Sequence, residues 1–253
     1  MEKIKLQMIA GKKLIVCMPA FNAGKILERT FKGSPEGIVD EVILVDDHSA
    51  DDTVEVAQRL GISQIIEHDI NKGYGGNQKT CYQRALELGG EVIIMLHPDY
   101  QYNPSLIPAM AGLVAKGIFP VVLGSRILGK GAMKLGMPAW KYFANRILTL
   151  GQNIMLGQKL SEYHTGYRAY NSEVLRSINF MANDDGFVFD NQLLAQVIYK
   201  GYTIGEISCP AKYFPDASSI GFTDSMQYGL GVMRTSVMYC FNKWGMARSE
   251  IFR

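Results

Sequence analysis

Short apolar runs alternate with longer amphipathic stretches through the first half of the chain. The runs KLIVCMP (13–19), EVILVDD (41–47), QIIEH (64–68), EVIIML (91–96) and PVVLGS (120–125) are short and β-branched, as parallel strands buried on both faces are. Between them the spacing of apolar positions predicts helices over about 24–32, 51–60, 77–88 and 104–116. Ser49 followed by Asp52 reads as a capping box that opens the second of these. Strand and helix in alternation predict an α/β fold, a mostly parallel twisted sheet with helices on both faces. Ligands of such sheets sit beyond the carboxyl ends of the strands. That rule gathers positions 19–22, 46–49, 97–101 and 125–126 around one crevice.

The second half is less regular. Helices are predicted near 138–156 and 187–200, around a polar stretch SEYHTGYRAYN (161–171), and a strand-like run YTIGEISCPAKY (202–213) follows. With no internal repeat, no low-complexity linker and no clear boundary, a single domain over residues 1–253 is expected. Charged residues are 20% and hydrophobic ones 47%, an ordinary globular composition, and a net charge of +2 gives no sign of a nucleic-acid partner. The four cysteines are far apart, without metal-ligand spacing; Cys17 and Cys209 lie in apolar runs and read as buried thiols of a reducing compartment. The charged start MEKIKLQMIAGKK lacks a signal-peptide core, and no apolar run approaches ~18 residues, so a cytoplasmic protein is expected.

One charge asymmetry changes this picture. Residues 127–161 hold no acid, while Lys130, Lys134, Lys141, Arg146 and Lys159 are interleaved with Trp140, Tyr142 and Phe143. The tail from about 226 to 253 is similarly basic and aromatic, and is read as helical. Each segment alone is most simply a solvated helix face over a core. Together they suggest a surface for an anionic, greasy partner, with peripheral contact at the inner face of a membrane. A homo-oligomer interface is the other use of such a surface.

The motifs MPAFNAG, VILVDDHSADDT, NKGYGGNQ, HPDYQYNP, GSR, HTGYRAY and GFVFDNQLL occur in one order over about residues 13–225. In that order they resemble inverting family-2 glycosyltransferases, most closely the dolichol-phosphate mannose and glucose synthase branch. The resemblance implies a GT-A fold, with a nucleotide-sugar half over about 13–126 and an acceptor half over about 127–225. It implies a nucleotide diphosphate sugar donor, UDP- or GDP-linked, a Mg²⁺ or Mn²⁺ cofactor, and a polyprenyl phosphate or glycan acceptor.

The residue chemistry fits these expectations. Pro19 fixes the exit from the first strand, Phe21 offers a flat face to a base, and by resemblance Pro19, Phe21, Asn22 and Asp47 hold the nucleoside. Asp46 and Asp47 could equally be acids that complement a helix dipole. The glycine loop with Gly73 and Lys79 is neither a P-loop nor GxGxxG. It is a flexible turn, or it closes over the donor as in the family.

The family carries Asp-x-Asp at the fourth strand end, and here the pattern is His97-Pro98-Asp99-Tyr100-Gln101. Asp99 and Gln101 stand where the metal is expected, and His97 could ligate it or hydrogen-bond the ribose. Arg126 is placed by resemblance at the diphosphate or an acceptor phosphate, or it is a strand-end arginine paired at the surface. Asp190, among Phe187, Val188 and Phe189, could be a general base or a helix N-terminal acid. Glu162, Thr165, Gly166 and Arg168 are expected on the acceptor side, with His164 as wall. The basic Arg-x-x-Gly-x-Ser-Lys element of dolichol-phosphate synthases has no basic counterpart in FPDASSIG (214–221). A nucleotidyltransferase and a non-catalytic nucleotide-sugar-binding module are the competing classes.

Overall fold

The computed structural model describes residues 9–129, 132–211 and 221–253. Lys130 and nearly all of FPDASSIG lie outside them. Strands β1 (Leu14–Ala20), β2 (Glu41–Asp46), β3 (Gln64–Glu67), β4 (Val92–Met95), β5 (Val121–Ser125), β6 (Arg168–Asn171) and β7 (Ile204–Ser208) form one sheet in the order β3-β2-β1-β4-β6-β5-β7. All neighbours are parallel except β6, which runs antiparallel to both β4 and β5. Strand periodicity divides the core. Ile15, Cys17, Ile43 and Val45 pack on one face with Tyr82, Phe189 and Leu194. Leu14, Val16, Met18 and Leu44 pack on the other with Leu27, Ile107 and Met110. Every residue of β1 is buried, so its near-continuous apolar run follows from burial on both sides.

The helices are α1 (Gly24–Lys32), α2 (Thr53–Arg59), α3 (Gly73–Glu87), α4 (Ile107–Ala115), α5 (Ala139–Leu156), α6 (Ser172–Ser177), α7 (Phe189–Tyr199) and α8 (Phe222–Lys243). Most lie where the sequence pattern puts them, and the departures have physical causes. The capping box at Ser49 does not form. The Ser49 hydroxyl turns to Asp46 Oδ1, and it is Asp51 Oδ1 that accepts the Thr53 N–H at 3.1 Å. Helix α3 starts at Gly73 rather than near 77, because partners distant in sequence satisfy its first N–H groups. Asp47 Oδ2 accepts from Gly73, and the Asp185 carbonyl accepts from Gly75 at 2.7 Å and Gly76 at 3.1 Å. The polar stretch 161–171 ends in strand β6, hidden from pattern reading because its first residue is a fully buried arginine.

Candidate functional site

The loops after β1 and β2 are tied together at the nucleoside end of the crevice. Asn22 adopts φ 50°, donates its N–H to Ser49 Oγ at 2.8 Å and accepts from Ala50 N–H through Oδ1 at 2.9 Å. Asn77 of α3 bridges the ends of both strands, donating to Ala20 O at 3.2 Å and Val45 O at 3.0 Å. Asp47 is buried, and its carboxylate accepts from Lys72 N–H at 2.8 Å and Gly73 N–H at 2.9 Å and meets His68 Nδ1 at 2.7 Å. The turn at 71–73 is thereby held against the end of β2. Phe21 stays 55% exposed beside it, an open aromatic face.

At the end of β4, Asp99 Oδ1 accepts the Gln101 N–H at 3.0 Å. His97 turns to the glycine-rich turn instead. Its ring stacks on Tyr74 at 5.2 Å between centroids and 8° between planes, with Nε2 3.1 Å from the Tyr74 hydroxyl. That hydroxyl donates to Asp190 Oδ2 at 2.6 Å. Burial and the Asp190 charge hold the Tyr74 phenol well above its usual pKa, so it keeps its proton. Burial lowers the His97 pKa, against the pull of Asp99 and Asp190. Tyr74 has one proton and gives it to Asp190, so the network assigns the imidazole proton to Nε2.

Asp190 opens α7 and is buried. Its Oδ1 has no hydrogen-bond partner among the described residues, and Arg168 Nη1 stands 3.6 Å away, too far for a hydrogen bond. Arg168 is instead a buttress, donating to the carbonyls of Thr165 at 2.7 Å, Asp190 at 2.6 Å and Tyr163 at 3.0 Å. Glu162, fully buried, grips Arg126: it accepts the Arg126 N–H at 2.8 Å and Nε–H at 2.9 Å, and Nη2 closes on it more tightly still. Asn145 adds a further bond to Glu162 at 2.8 Å. His164 meets the Tyr228 hydroxyl at 2.7 Å, and burial pushes its pKa down to about 4 despite the nearby Glu162.

These groups surround a cleft of roughly 810 Å³, within the range of small-molecule sites. Of the residues singled out in the sequence, Pro19, Phe21, Asn22, Asp47, Gly73, His97, Asp99, Gln101, Arg126, Gly166 and Asp190 line it. Glu162, Thr165 and Arg168 lie behind the wall, where Thr165 Oγ1 donates to Gly124 O at 2.7 Å. Lys79 is turned away, its ammonium on Asp185 at 2.6 Å and on the Asn183 carbonyl. The glycine-rich turn is not a loose one, because the Asp185 carbonyl holds the amides of Gly75 and Gly76. Sequence reading missed Tyr74, Asn145 and Tyr228. For Tyr74 the available signal was an aromatic hydroxyl set among glycines that leave its neighbours no side chain.

A mostly parallel sheet with one inserted antiparallel strand, and a cleft at the strand ends, defines a GT-A-type nucleotide-sugar fold. It resembles the crystal structure of glucosyl-3-phosphoglycerate synthase from Mycobacterium tuberculosis in complex with Mn²⁺, UDP-glucose and glycerol 3-phosphate, with a TM-score of 0.72 and 18% identity over 98% of this chain and 86% of that one. Residues 15–178 match the family described as Glycosyl transferase family 2, and the chain belongs to that family. It is therefore a glycosyltransferase. It is 26% identical to the undecaprenyl-phosphate mannosyltransferase of Micrococcus luteus, over 77% of this chain and 82% of that protein. It is 25% identical to the UDP-N-acetylglucosamine–dolichyl-phosphate N-acetylglucosaminyltransferase of Methanococcus voltae, over 68% and 74%.

Proposed function

We propose that the protein transfers a hexose, with inversion, from a UDP- or GDP-linked donor to a polyprenyl phosphate, with a lipid-linked or soluble glycan as the second reading. The observation that carries this is one cleft with two carboxylates in different settings. Asp99 lies at the end of β4 beside the nucleoside loops, and Asp190 lies at the start of α7 with one oxygen unpartnered. The names of the two relatives, both polyprenyl-phosphate sugar transferases, support the same reading.

In this reading Pro19, Phe21, Asn22 and Asp47 bound the nucleoside slot. Among the described residues no group of three or more His, Cys, Asp or Glu side chains is gathered to hold a metal ion. Mg²⁺ is commonly held by one or two carboxylates plus substrate phosphates. Asp99 would hold it, with Gln101 alongside, and the cation would offset charge on the departing diphosphate. His97 has Nε2 engaged with Tyr74, which leaves only Nδ1 for a metal or ribose. Arg126, fixed by Glu162, adds positive charge on the acceptor side of the cleft. Asp190 orients the acceptor or takes its proton.

Two measurements test the reading. The donor with Mn²⁺ and an acceptor should yield the nucleoside diphosphate; pyrophosphate would mean nucleotidyl transfer, and neither product would mean a binding module. Asp99→Asn should abolish the Mn²⁺-dependent part of donor binding in calorimetry while the melting temperature stays near wild type. Unchanged metal-dependent affinity in that variant removes Asp99 from the cation site.

The acceptor side supports a lipid-linked substrate. Helices α5 and α8 run side by side: a Cβ on Gly229 would meet Leu148 at 3.8 Å, and Cys240 Sγ lies 3.4 Å from Met155 O. Trp140, Phe143, Ile147, Leu150 and Ile154 form an exposed apolar stripe on α5, and Met226, Leu230, Met233, Val237 and Phe241 form one on α8. Ile147 and Leu230 are each 71% exposed. Trp140 and Leu148 also line the cleft, so apolar surface continues from the site outward. Among the described residues no helix is long and apolar enough to cross a membrane, which leaves shallow insertion.

Lys141, Arg146, Arg234 and Lys243 stand on the same two helices against Asp224 alone. A second copy would bring like charges together, whereas anionic lipid would attract them, at about 1 kcal/mol per basic group near the surface. The protein should sediment with anionic vesicles at low salt, ignore zwitterionic ones, and be released by high salt, since the attraction fades over a Debye length of ~8 Å at physiological salt. If wild type ignores anionic vesicles and instead runs as a dimer, the stripes are an interface between copies.

A further inference from the structure

Three side chains from three elements form one hydrogen-bonded line through the cleft. His97, just beyond β4, places Nε2 3.1 Å from the Tyr74 oxygen, and Tyr74 of α3 donates to Asp190 Oδ2 of α7 at 2.6 Å, which leaves the donor role in the first bond to His97. The middle residue is fixed on every side. Its ring is held between His97 at 5.2 Å and Phe187 at 5.0 Å. Its backbone neighbours are pinned too, Gly73 N–H on Asp47 at 2.9 Å and Gly75 N–H on the Asp185 carbonyl at 2.7 Å. Gly166 completes the seat, since a Cβ there would come within 2.7 Å of His97 Nε2.

We propose that Tyr74 and His97 are positioning residues for Asp190: they hold Oδ2 and so fix the orientation of the carboxylate that meets the acceptor, while Oδ1 is buried beside Arg168. This rests on the glycosyl-transfer reading above. In the step it serves, an acceptor hydroxyl gives its proton to the Asp190 carboxylate and its oxygen bonds to the anomeric carbon. The bond from that carbon to the diphosphate oxygen breaks, and the nucleoside diphosphate leaves with the electron pair.

The arrangement also accounts for histidine at the first position of the strand-end motif. A tyrosine has one hydroxyl proton. Two carboxylates, at 97 and 190, would compete for it and repel each other, leaving one of them without a donor. An imidazole removes the conflict, because its Nε2, 3.1 Å from the Tyr74 oxygen, can bring a proton of its own. His97 thus acts on Asp190 through Tyr74, and the cation is left to Asp99.

The test has one arm that needs no activity. Ring ¹⁵N shifts of His97, assigned from their disappearance in His97→Gln, should report Nε2 protonated and Nδ1 bare, and the Nε2 signal should move in Tyr74→Phe. An Nδ1-protonated ring, or a signal indifferent to Tyr74→Phe, overturns the proposal. The second arm measures nucleoside diphosphate release with Mn²⁺ from UDP-glucose, UDP-N-acetylglucosamine and GDP-mannose, with water as the hydroxyl acceptor. Tyr74→Phe keeps both ring stacks and should lower kcat roughly 10- to 100-fold, the reach of one hydrogen bond to a charged group, with donor KM unchanged.

In an Asp190→Asn background the same change should cost less than about 2-fold, because residues that act as a unit are not additive. His97→Phe should resemble Tyr74→Phe, while His97→Gln, whose amide donor falls near Nε2, should recover much of the loss. Multiplying effects of Tyr74→Phe and Asp190→Asn, or a change in KM alone, would show that Tyr74 does not act through Asp190. If wild type turns over no donor either with water or with a polyprenyl phosphate, the glycosyl-transfer reading fails, and the ring signals still decide whether the line of hydrogen bonds exists.

Discussion

Asp190→Asn is expected to leave a folded protein that binds donor normally and turns over roughly 10²–10⁴-fold more slowly with a hydroxyl acceptor, the usual reach of general-base catalysis. The amide keeps the size of the carboxylate and can still accept from Tyr74, whose bond to Oδ2 is 2.6 Å. It cannot take a proton. A polyprenyl phosphate arrives already ionised, so with that acceptor the loss should be smaller and appear mainly in acceptor binding. Single-turnover kinetics beside donor calorimetry separates the two cases and so reports the acceptor class. Wild-type turnover with either acceptor removes Asp190 from the chemistry.

Glu162→Ala should have the largest effect on stability. Glu162 is fully buried and holds Arg126 through its backbone N–H, Nε and Nη2, with Asn145 as a further donor. Removing one partner of a buried ion pair strands the other and typically costs about 3–5 kcal/mol. For a chain of this size each kcal/mol lowers Tm by about 2–4 °C, so a fall on the order of 10 °C is expected in a thermal melt.

The pH dependence has a definite sign. Burial alone would raise the Glu162 pKa, but the charge and hydrogen bonds of Arg126 more than offset it, and the net shift is downward from 4.5. A carboxyl depressed in the folded state binds fewer protons there than when unfolded. Its stabilisation is complete above the ordinary carboxylate range and is lost as pH falls below 4.5 through the depressed value. Glu162→Gln should flatten that acid limb of the stability curve. An unchanged limb would place the acid sensitivity elsewhere.

The parts of the molecule legible in the sequence are those whose partners are local or whose burial is uniform. Strand β1 is apolar throughout because both its faces are covered, and α1 shows its buried Leu27 and Thr30 at helical spacing. The crevice was legible because strand-end position depends only on topology. Where a group's partner lies far along the chain, the sequence is silent. Nothing near Gly73 announces that Asp47 and the Asp185 carbonyl will cap its helix, so the start of α3 is read too late.

Arg168 presents the same difficulty in another form. A charged residue reads as surface, yet here it is buried among backbone carbonyls and begins a central strand. Glu162 and Lys79 carry chemistry-bearing groups whose use is internal, on Arg126 and on Asp185. No pattern of spacing distinguishes such groups from those that face a ligand.

The antiparallel strand β6 has a consequence for how the chain is made. In the described sheet β5 and β7 reach the other strands only through β6, a segment of four residues from Arg168 to Asn171. On the ribosome, β5 is synthesised well before either of its neighbours, and the outer edge of β4 stays open for longer still. An open β-branched edge is a template for the wrong partner, and long-range strand pairing is slow. While the nascent chain extends from β4 to β6, the edge of β4 is unpaired and both faces of the first strands still await later residues, Tyr167 and Ala169 on one and Phe189 and Leu194 on the other. That interval is when a holding chaperone has most to do.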